Sequence, residues 1–474
     1  MNQPHIFFLP LMAHGHLIPM LELAKLFSSR GVRTTIISNP AFSEPIVNAQ
    51  ESGFDIGLKM IKFPPRESGL PDHMVSLTQF ITDELIGKFA KAVDLLQEPV
   101  EKFLQESNPS CIVSDMFWTW TVDTAAKFGI PRLLFHGTGF LPMCASEQMW
   151  LHKPYKKVFS DFEPFLLPNL PHQLRFVRTQ VPEFQQVEIE SHFSKLLDRV
   201  RESDQRSYGV IVNSFYELEP DYSDHFKKVL GRKAWSIGPL LLWNNGDEER
   251  AQRGKKSAID AQECLTWLDS KKPNSVVYMC FGSMGIFTHA QLHETAKGIE
   301  ASGQDFIWVT SKGENEDKNE DDIPEGFEER TKGKGIIIRG WAPQVMILNH
   351  PSIGAFVTHC GWNSMLEAVC AGVPMVTWPL CAEQFFNEKL VTEVLKIGVP
   401  VGSKKWQQGP AEGVPGEALT EAIRHIMVGE AYEMRFNIRA KTCKEMARTA
   451  VEEGGSSYKD LSALIAELEH LKHM

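Results

Sequence analysis

The stretch FVTHCGWNSMLEAVCAGVPM, residues 356–375, reads as the end of a strand, a sharp polar turn and a short helix closed by Gly372. Phe356, Val357 and Thr358 run into His359, and MLEAVCAG (365–372) follows with helical spacing. The first amides of such a helix have no intrahelical acceptors, and the helix dipole there favours an anion such as a phosphate. Asn363 and Ser364 add polar donors beside those amides, and His359 brings an imidazole to the same place. A second reading competes. Ser364 and Glu367 have the spacing of a capping box, which satisfies helix amides with no ligand at all. Taken alone, the capping reading comes first, and the rest of the chain has to decide.

Outward from this stretch, short β-rich runs alternate with amphipathic helical segments along the whole chain. That pattern implies an α/β fold of parallel sheets covered by helices on both faces. In the first half the expected strands are HIFFLPLM (5–12), VRTTIIS (32–38), CIVSDMF (111–117), PRLLFHG (131–137), YGVIVNSF (208–215) and AWSIGPL (234–240). LIPMLELAKLFSSRG (17–31) and residues 77–104 carry helical spacing between them. Near Leu241 the rhythm breaks into NNGDEERAQRGKK (244–256), a polar, charged stretch with the character of an interdomain linker. It restarts with SVVYMCFGSM (275–284), DFIWVTS (305–311), GIIIRGWAP (335–343), IGAFVTH (353–359) and PMVTWP (374–379), so a second doubly wound domain is expected. The boundary falls at 245/246. The acidic run ENEDKNEDD (314–322) reads as a solvated loop. Ligands of open α/β sheets lie beyond the carboxyl ends of the strands, so the chemistry is expected in a cleft between two facing domains.

Composition agrees with this picture. A chain of 474 residues exceeds what one hydrophobic core usually serves. With 43% apolar and 23% charged residues and a formal charge of −11, there is material for two cores and no basic excess to attract nucleic acid. The cysteines (Cys111, Cys144, Cys264, Cys280, Cys360, Cys370, Cys381, Cys443) form no C-x-x-C pair, and several sit in apolar runs. They read as buried thiols in a reducing compartment rather than disulfides or zinc ligands. The start, MNQPHIFFLPLMAHGH, lacks a basic n-region and reads as a first strand, not a signal peptide. No apolar run reaches the ~18 residues of a membrane span, so a soluble, cytosolic protein is expected.

From Trp341 to Gln384 the sequence reads WAPQVMILNHPSIGAFVTHCGWNSMLEAVCAGVPMVTWPLCAEQ. This resembles, from end to end, the signature box of plant secondary-product glycosyltransferases that use UDP-sugars. It combines W-A-P-Q, H-C-G-W-N-S, a helix glutamate and a terminal Gln at the family spacings, which is far more specific than a lone glycine motif. The resemblance extends over essentially the whole chain. It implies the GT-B architecture of two Rossmann-like domains: acceptor binding over 1–245, UDP-sugar binding over 246–455, and a last helix (456–474) packing back onto the first domain.

Carried over residue by residue, the resemblance makes Trp341 the platform on which uracil stacks, a role that suits a large flat indole. Ala342 and Gln344 would fix the base and ribose edges. His359, Asn363 and Ser364 would hold the diphosphate, with Ser283 of the CFGSMG turn as a further contact. Glu367 would accept hydrogen bonds from the ribose diol, which a carboxylate's paired oxygens suit. Trp362, Glu383 and Gln384 would face the sugar. The family more often has Asp where Glu383 stands, so the carboxylate here reaches about one methylene further. Gln384, where some relatives have His, points to UDP-glucose, with UDP-galactose or UDP-glucuronate behind it.

In the first half, MAHGHLIPM (12–20) puts His16 where the first strand hands over to the first helix. An isolated histidine there is ordinarily a helix-entry residue with one satisfied hydrogen bond. An acceptor hydroxyl must however lose a proton as it attacks an anomeric carbon, and an imidazole near pKa ~6.5 suits that task. His14 competes with it on chemistry alone; the family's G-H motif, matched by Gly15-His16, selects His16 as general base. Asp115, at the end of CIVSDMF, would orient that imidazole and stabilise its positive form; the plainer alternative is an aspartate capping the next helix. Thr138, in FHGTGF, would touch the sugar. Met116, Phe117 and Phe140, with Trp118, Met143, Met149 and Trp150, would wall an apolar acceptor pocket unless they belong to the core.

The implied reaction is direct displacement with inversion by an activated acceptor oxygen, with helix amides and His359 meeting the charge on departing UDP. No D-x-D-like pair stands ready to hold a divalent cation, so metal independence and no cofactor beyond the UDP-sugar are expected. Within the family the chain resembles the subgroup with flavonoid and triterpenoid or steroid glucosyltransferases, so a hydrophobic plant metabolite or its glycoside is the expected acceptor and a monomer the expected state. Two other functions are weighed: a non-catalytic nucleotide-sugar-binding protein, and an NAD-linked oxidoreductase. Intact His16 and Asp115 argue against the first, and the absence of a G-x-G-x-x-G after either domain's first strand argues against the second.

Overall fold

The computed structural model of the chain describes residues 3–76, 82–186, 190–243, 257–283, 285–310, 323–428 and 430–471. The linker expected at 244–256, the acidic run at 314–322 and the first residues of the 77–104 stretch lie outside the described residues. Packing divides the chain into two compact units. The first comprises residues 1–140, 187–244 and 449–474, and the second 141–186 and 245–448. Residues 141–186 therefore group with the second unit, although they lie within the 1–245 span of the sequence partition.

The first unit is built on seven strands: β1 (His5–Leu9), β2 (Arg33–Ser38), β3 (Ile56–Met60), β4 (Cys111–Asp115), β5 (Arg132–Phe135), β6 (Gly209–Val212) and β7 (Ala234–Ser236). They lie in the order β3-β2-β1-β4-β5-β6-β7, all neighbours parallel. Every residue of β1 and of β4 is buried, as central strands must be when helices cover both faces. Strand order reverses between β1 and β4, which is the switch point where such sheets open a crevice. Leu9 pairs with Ser114. Asp115 thus stands one residue past the last pair, beside the chain leaving β1 for helix α1 (His14–Ser29). The edge strand β3, IGLKM, escaped the sequence reading because Gly57, Lys59 and a largely exposed Met60 give it little β character. Helix α2 (His192–Gln205) also belongs to this unit.

The helix Ser456–Leu471 completes the first core. Leu461, Leu464 and Leu468 are fully buried in it, on one helical face by their spacing, and each contributes about 1.5–3 kcal/mol of burial. The Asp460 carboxylate accepts the Ser236 N–H at 2.7 Å, and Ser457 Oγ donates to the Gly238 carbonyl at 2.5 Å.

The second unit carries β8 (Val276–Cys280), β9 (Asp305–Thr310), β10 (Gly335–Arg339), β11 (Ile353–Thr358), β12 (Met375–Thr377) and β13 (Gly398–Pro400). Their order is β10-β9-β8-β11-β12-β13, again all parallel. Here the switch point lies between β8 and β11, where Cys280 pairs with Thr358. Helix α3 (Trp362–Ala371) follows β11 and α4 (Gln384–Lys389) follows β12. Residues 141–186 join this unit through side-chain and backbone contacts. The Phe176 ring meets Phe386 edge-on at 5.4 Å, Trp406 N–H donates to the Thr179 carbonyl at 2.8 Å, and Thr179 Oγ1 donates to the Lys404 carbonyl at 2.5 Å. All eight cysteines are free thiols. Among the described residues no helix is long and apolar enough to cross a membrane.

Candidate active site

At the switch point of the first sheet, α1 starts after Ala13, whose backbone is extended (φ −150°, ψ 137°) and which supplies no side-chain cap. The first helix bonds run from His16 N and Leu17 N to the Ala13 carbonyl at 3.0 and 2.8 Å. This places His16 in the first turn, against the end of β4. Its Nδ1 lies 2.6 Å from Asp115 Oδ2. The Asp115 carboxylate is completely buried and the imidazole about a quarter exposed, at 26%. An ionised carboxylate only accepts, so Nδ1 carries the hydrogen and Nε2 the lone pair. Asp115 Oδ1 accepts the Phe117 N–H at 3.1 Å. Asp115 does not cap the next helix, Thr121–Lys127, which starts after Trp120 with no side-chain cap; one of its oxygens closes the turn and the other holds the imidazole. His14 instead packs its ring on Phe42, centroids 5.2 Å apart, which separates the two candidate histidines.

Behind Asp115 lies a charged network that the sequence reading missed. Buried Arg132 donates from Nε to Ser114 Oγ at 2.8 Å and from its terminal nitrogens to Ser207 Oγ at 2.5 Å and the Asp115 carbonyl at 3.5 Å. Burial pushes its pKa down to about 10 against the pull of Asp204 and Asp115, so it stays a cation at neutral pH. Burial also opposes charge on Asp204, at the end of α2, but His136, Arg232 and Arg132 outweigh it and hold that carboxyl at about 2. His136 bridges Asp204 Oδ2 and Met116 Sδ, each at 3.2 Å. An Arg and a His bracketing the apolar Leu-Leu-Phe of β5 were the available signal.

Of the expected acceptor residues, Met116 is half-buried against His136, and the Phe117 ring lies 6.3 Å from that of His16. Thr138 sits on the loop after β5 with its hydroxyl buried and without a partner among the described residues. Phe140 requires a correction. It has no exposed surface, its ring packs edge-on against Phe226 at 5.5 Å and its N–H donates to Glu219, so it is a core residue rather than an acceptor wall.

At the switch point of the second sheet, the capping box is absent. Helix α3 starts after Gly361, not Ser364, and has no side-chain cap. Ser364 is two residues inside it, and its Oγ accepts from Gln344 Nε2 at 3.0 Å. The first-turn amides are therefore not silenced by the capping geometry that the spacing suggested. Beside them His359 is buried with Nδ1 lacking a partner among the described residues, and burial pushes its pKa down to about 4. A neutral ring nitrogen with no partner among the described residues, beside a helix start that has no side-chain cap, is costly unless a ligand meets it. The imidazole fits only because glycines flank it: a Cβ on Gly282 would fall 2.8 Å from it, and one on Gly361 would clash too. Ser283 is exposed on the same turn after β8.

Gln344 Nε2 also donates to Glu367 Oε2 at 2.6 Å. Trp341 is half-buried on the loop after β10 and is followed by buried Ala342. Two of the residues expected to face a sugar are already engaged within the protein. The Trp362 indole is 2% exposed, and the residue opens the first helical turn. Gln384 spends its amide oxygen on the Leu380 and Cys381 N–H groups at 2.8 and 3.0 Å, and its Nε2 donates to Cys381 Sγ at 3.9 Å. Glu383 Oε1 accepts from Asn387 Nδ2 at 3.3 Å, and the same nitrogen donates to the Cys360 carbonyl at 2.8 Å. Asn387 thereby clips the carboxylate-bearing turn to the His359 turn.

Glu388, under this site, accepts from Thr377 Oγ1 at 2.8 Å, and burial pushes its carboxyl up to about 7 from 4.5. The folded state thus binds a proton between those values that the unfolded chain releases, and stability is lost as pH rises through the window. Replacing Glu388 by Gln keeps the Thr377 bond without the charge. The expected result in thermal unfolding is an unchanged midpoint at pH 5 and a raised one at pH 8, worth up to about 3 kcal/mol. Equal shifts at both pH values would refute the assignment.

Residues 13–405 match the family described as UDP-glucoronosyl and UDP-glucosyl transferase. The chain is 57% identical to a Nicotiana tabacum protein named scopoletin glucosyltransferase, over 99% of this chain and 98% of the relative. It is 55% identical to a Fragaria ananassa protein named UDP-glucose flavonoid 3-O-glucosyltransferase 7, over 99% and 97%. Among solved structures it is similar to Glycyrrhiza uralensis UGT73P12 complexed with glycyrrhetinic acid 3-O-monoglucuronide, with a TM-score of 0.91 and 40% identity over 99% of this chain and 96% of that one. A second, Medicago truncatula UGT71G1 complexed with UDP-glucose, has a TM-score of 0.79 and 27% identity over 98% of each.

Proposed function

Because the chain belongs to the UDP-glucuronosyl and UDP-glucosyl transferase family and has the GT-B fold, we propose that it moves glucose from UDP-glucose to a hydroxyl of a small hydrophobic plant metabolite, with inversion and with His16 as base. Relatives named for scopoletin and flavonoid acceptors support a phenolic substrate, and the neighbour bound to a glycyrrhetinic acid glucuronide supports a triterpenoid one. The single observation that carries the catalytic reading is the 2.6 Å contact of His16 Nδ1 with buried Asp115. A binding protein has no use for an imidazole whose tautomer is fixed this way.

In the proposed step, His16 Nε2 takes the acceptor's hydroxyl proton as its oxygen forms the bond to the anomeric carbon. The bond from that carbon to the β-phosphate oxygen breaks, and UDP keeps the electron pair. Asp115 stabilises the imidazolium that results, as in other carboxylate–histidine pairs. The α3 amides, Asn363, Ser364 and the neutral imidazole of His359 meet the charge on the diphosphate, a preorganised arrangement that needs no rearrangement at the moment of reaction. Trp341 stacks the uracil, and Glu383 with Gln384 Nε2 reads the sugar hydroxyls.

Incubation with UDP-glucose and a panel holding scopoletin, flavonols and a triterpenoid aglycone, with UDP release and glucoside formation followed, tests the reading. Acceptor-dependent UDP release is the expected result. UDP binding without any release would return the protein to the class of nucleotide-sugar binders.

A further inference from the structure

Resting on the reading that Glu367 grips the ribose of the donor, we propose that Tyr278 is a positioning residue: its hydroxyl fixes the direction of the Gln344 amide, and through it sets Glu367 to distinguish a ribonucleoside diphosphate from its 2′-deoxy counterpart.

Tyr278 lies in the middle of β8, fully buried, with its ring stacked on Phe356 at 5.1 Å. In sequence it is one more apolar residue of SVVYMCF. Its hydroxyl, however, reaches Gln344 Oε1 at 3.1 Å. The orientation of that amide follows from its other end. Glu367 Oε2 stands 2.6 Å from the far atom of Gln344, and a carboxylate oxygen can only accept, so that atom is the NH2 group. The carbonyl oxygen must then face the phenol, which donates to it. Burial pushes Tyr278 well above the ordinary phenol range, so the donor proton stays in place at any working pH. The Cys280 thiol also meets the phenol oxygen.

The result is a one-way relay from Tyr278 through Gln344 to Glu367, with Ser364 Oγ taking the second amide hydrogen at 3.0 Å. Without the phenol, the amide oxygen loses the Tyr278 donor and the Gln344 side chain is held through its NH2 group alone. Glu367 would then be held less firmly in its place on α3. A carboxylate has about four acceptor positions, more than Gln344 uses, so a diol can be held while the relay stays intact.

The test is calorimetric binding of UDP and of 2′-deoxy-UDP to the full chain. The wild type is expected to prefer UDP by about tenfold or more, the size of one hydrogen bond to an ionised group. In Tyr278→Phe the UDP affinity should fall to near that of the deoxy compound, while the latter barely changes, so that the ratio collapses. Gln344→Met, which keeps the volume and removes both amide groups, should collapse it equally. Equal losses for both nucleotides, with the ratio preserved, would make Tyr278 a structural residue and overturn the proposal. A wild type that binds UDP without preferring it overturns the relay but leaves the donor reading standing. A wild type that binds neither nucleotide overturns the donor reading, and the relay falls with it.

Discussion

Replacing His16 by alanine is expected to lower glucosyl transfer by ~10²–10⁴-fold, the range that a positioned general base contributes, while UDP binds as before. The two effects separate because the residues proposed to hold UDP all lie in the second unit, whereas His16 belongs to the first. The loss should fall on turnover, since the imidazole acts on the acceptor hydroxyl only as the new bond forms. Steady-state rates at saturating UDP-glucose, set beside calorimetric UDP affinity, measure both at once. Turnover that survives intact would remove His16 from the role of base, and His14, packed on Phe42, would not be an obvious successor.

Asp115→Asn is expected to cost about as much, on the order of 10³–10⁴-fold, by analogy with other carboxylate–histidine pairs. The reason lies in a bond that has nothing to do with catalysis. The Phe117 N–H already donates to one oxygen of this side chain, so an asparagine would keep its carbonyl oxygen there. Its NH2 group would then face His16 Nδ1 and force the proton onto Nε2, the nitrogen that must accept. The imidazole would sit in the right place with the wrong tautomer. Folding should be little affected, and the double variant with His16→Ala should be no slower than His16→Ala alone, because both remove one function. Additive losses in that double variant would show that Asp115 acts elsewhere.

Much of this architecture could be read from residues alone. The alternation of β-rich and helical runs located eleven of the thirteen strands in the two parallel sheets, and those missed, β3 and β13, are short edge strands weakened by Gly57, Lys59 and Pro400. His16 and Asp115 were singled out by the Gly15-His16 motif and by the end of β4, and the structure sets their side chains 2.6 Å apart. What stayed hidden were roles set by the third dimension. Tyr278 looks like core because a buried phenol and a buried phenylalanine leave the same pattern. The spacing of Ser364 and Glu367 fits a capping box, yet the helix begins two residues before Ser364, at Trp362, and the box never forms. Phe140 looked like a pocket wall because an aromatic residue near a polar motif invites that reading, and only its burial decides against it.

The helix Ser456–Leu471 carries a consequence for biosynthesis. The sheet of the first unit is fully translated once residue 236 has emerged, yet its core still lacks Leu461, Leu464 and Leu468. On the ribosome that half therefore waits, with an apolar groove open, while residues 245–448 of the other unit are made. Chaperone occupancy of nascent chains should accordingly persist until the closing helix clears the exit tunnel, and a fragment cut at residue 245 should aggregate rather than behave as an autonomous acceptor-binding module.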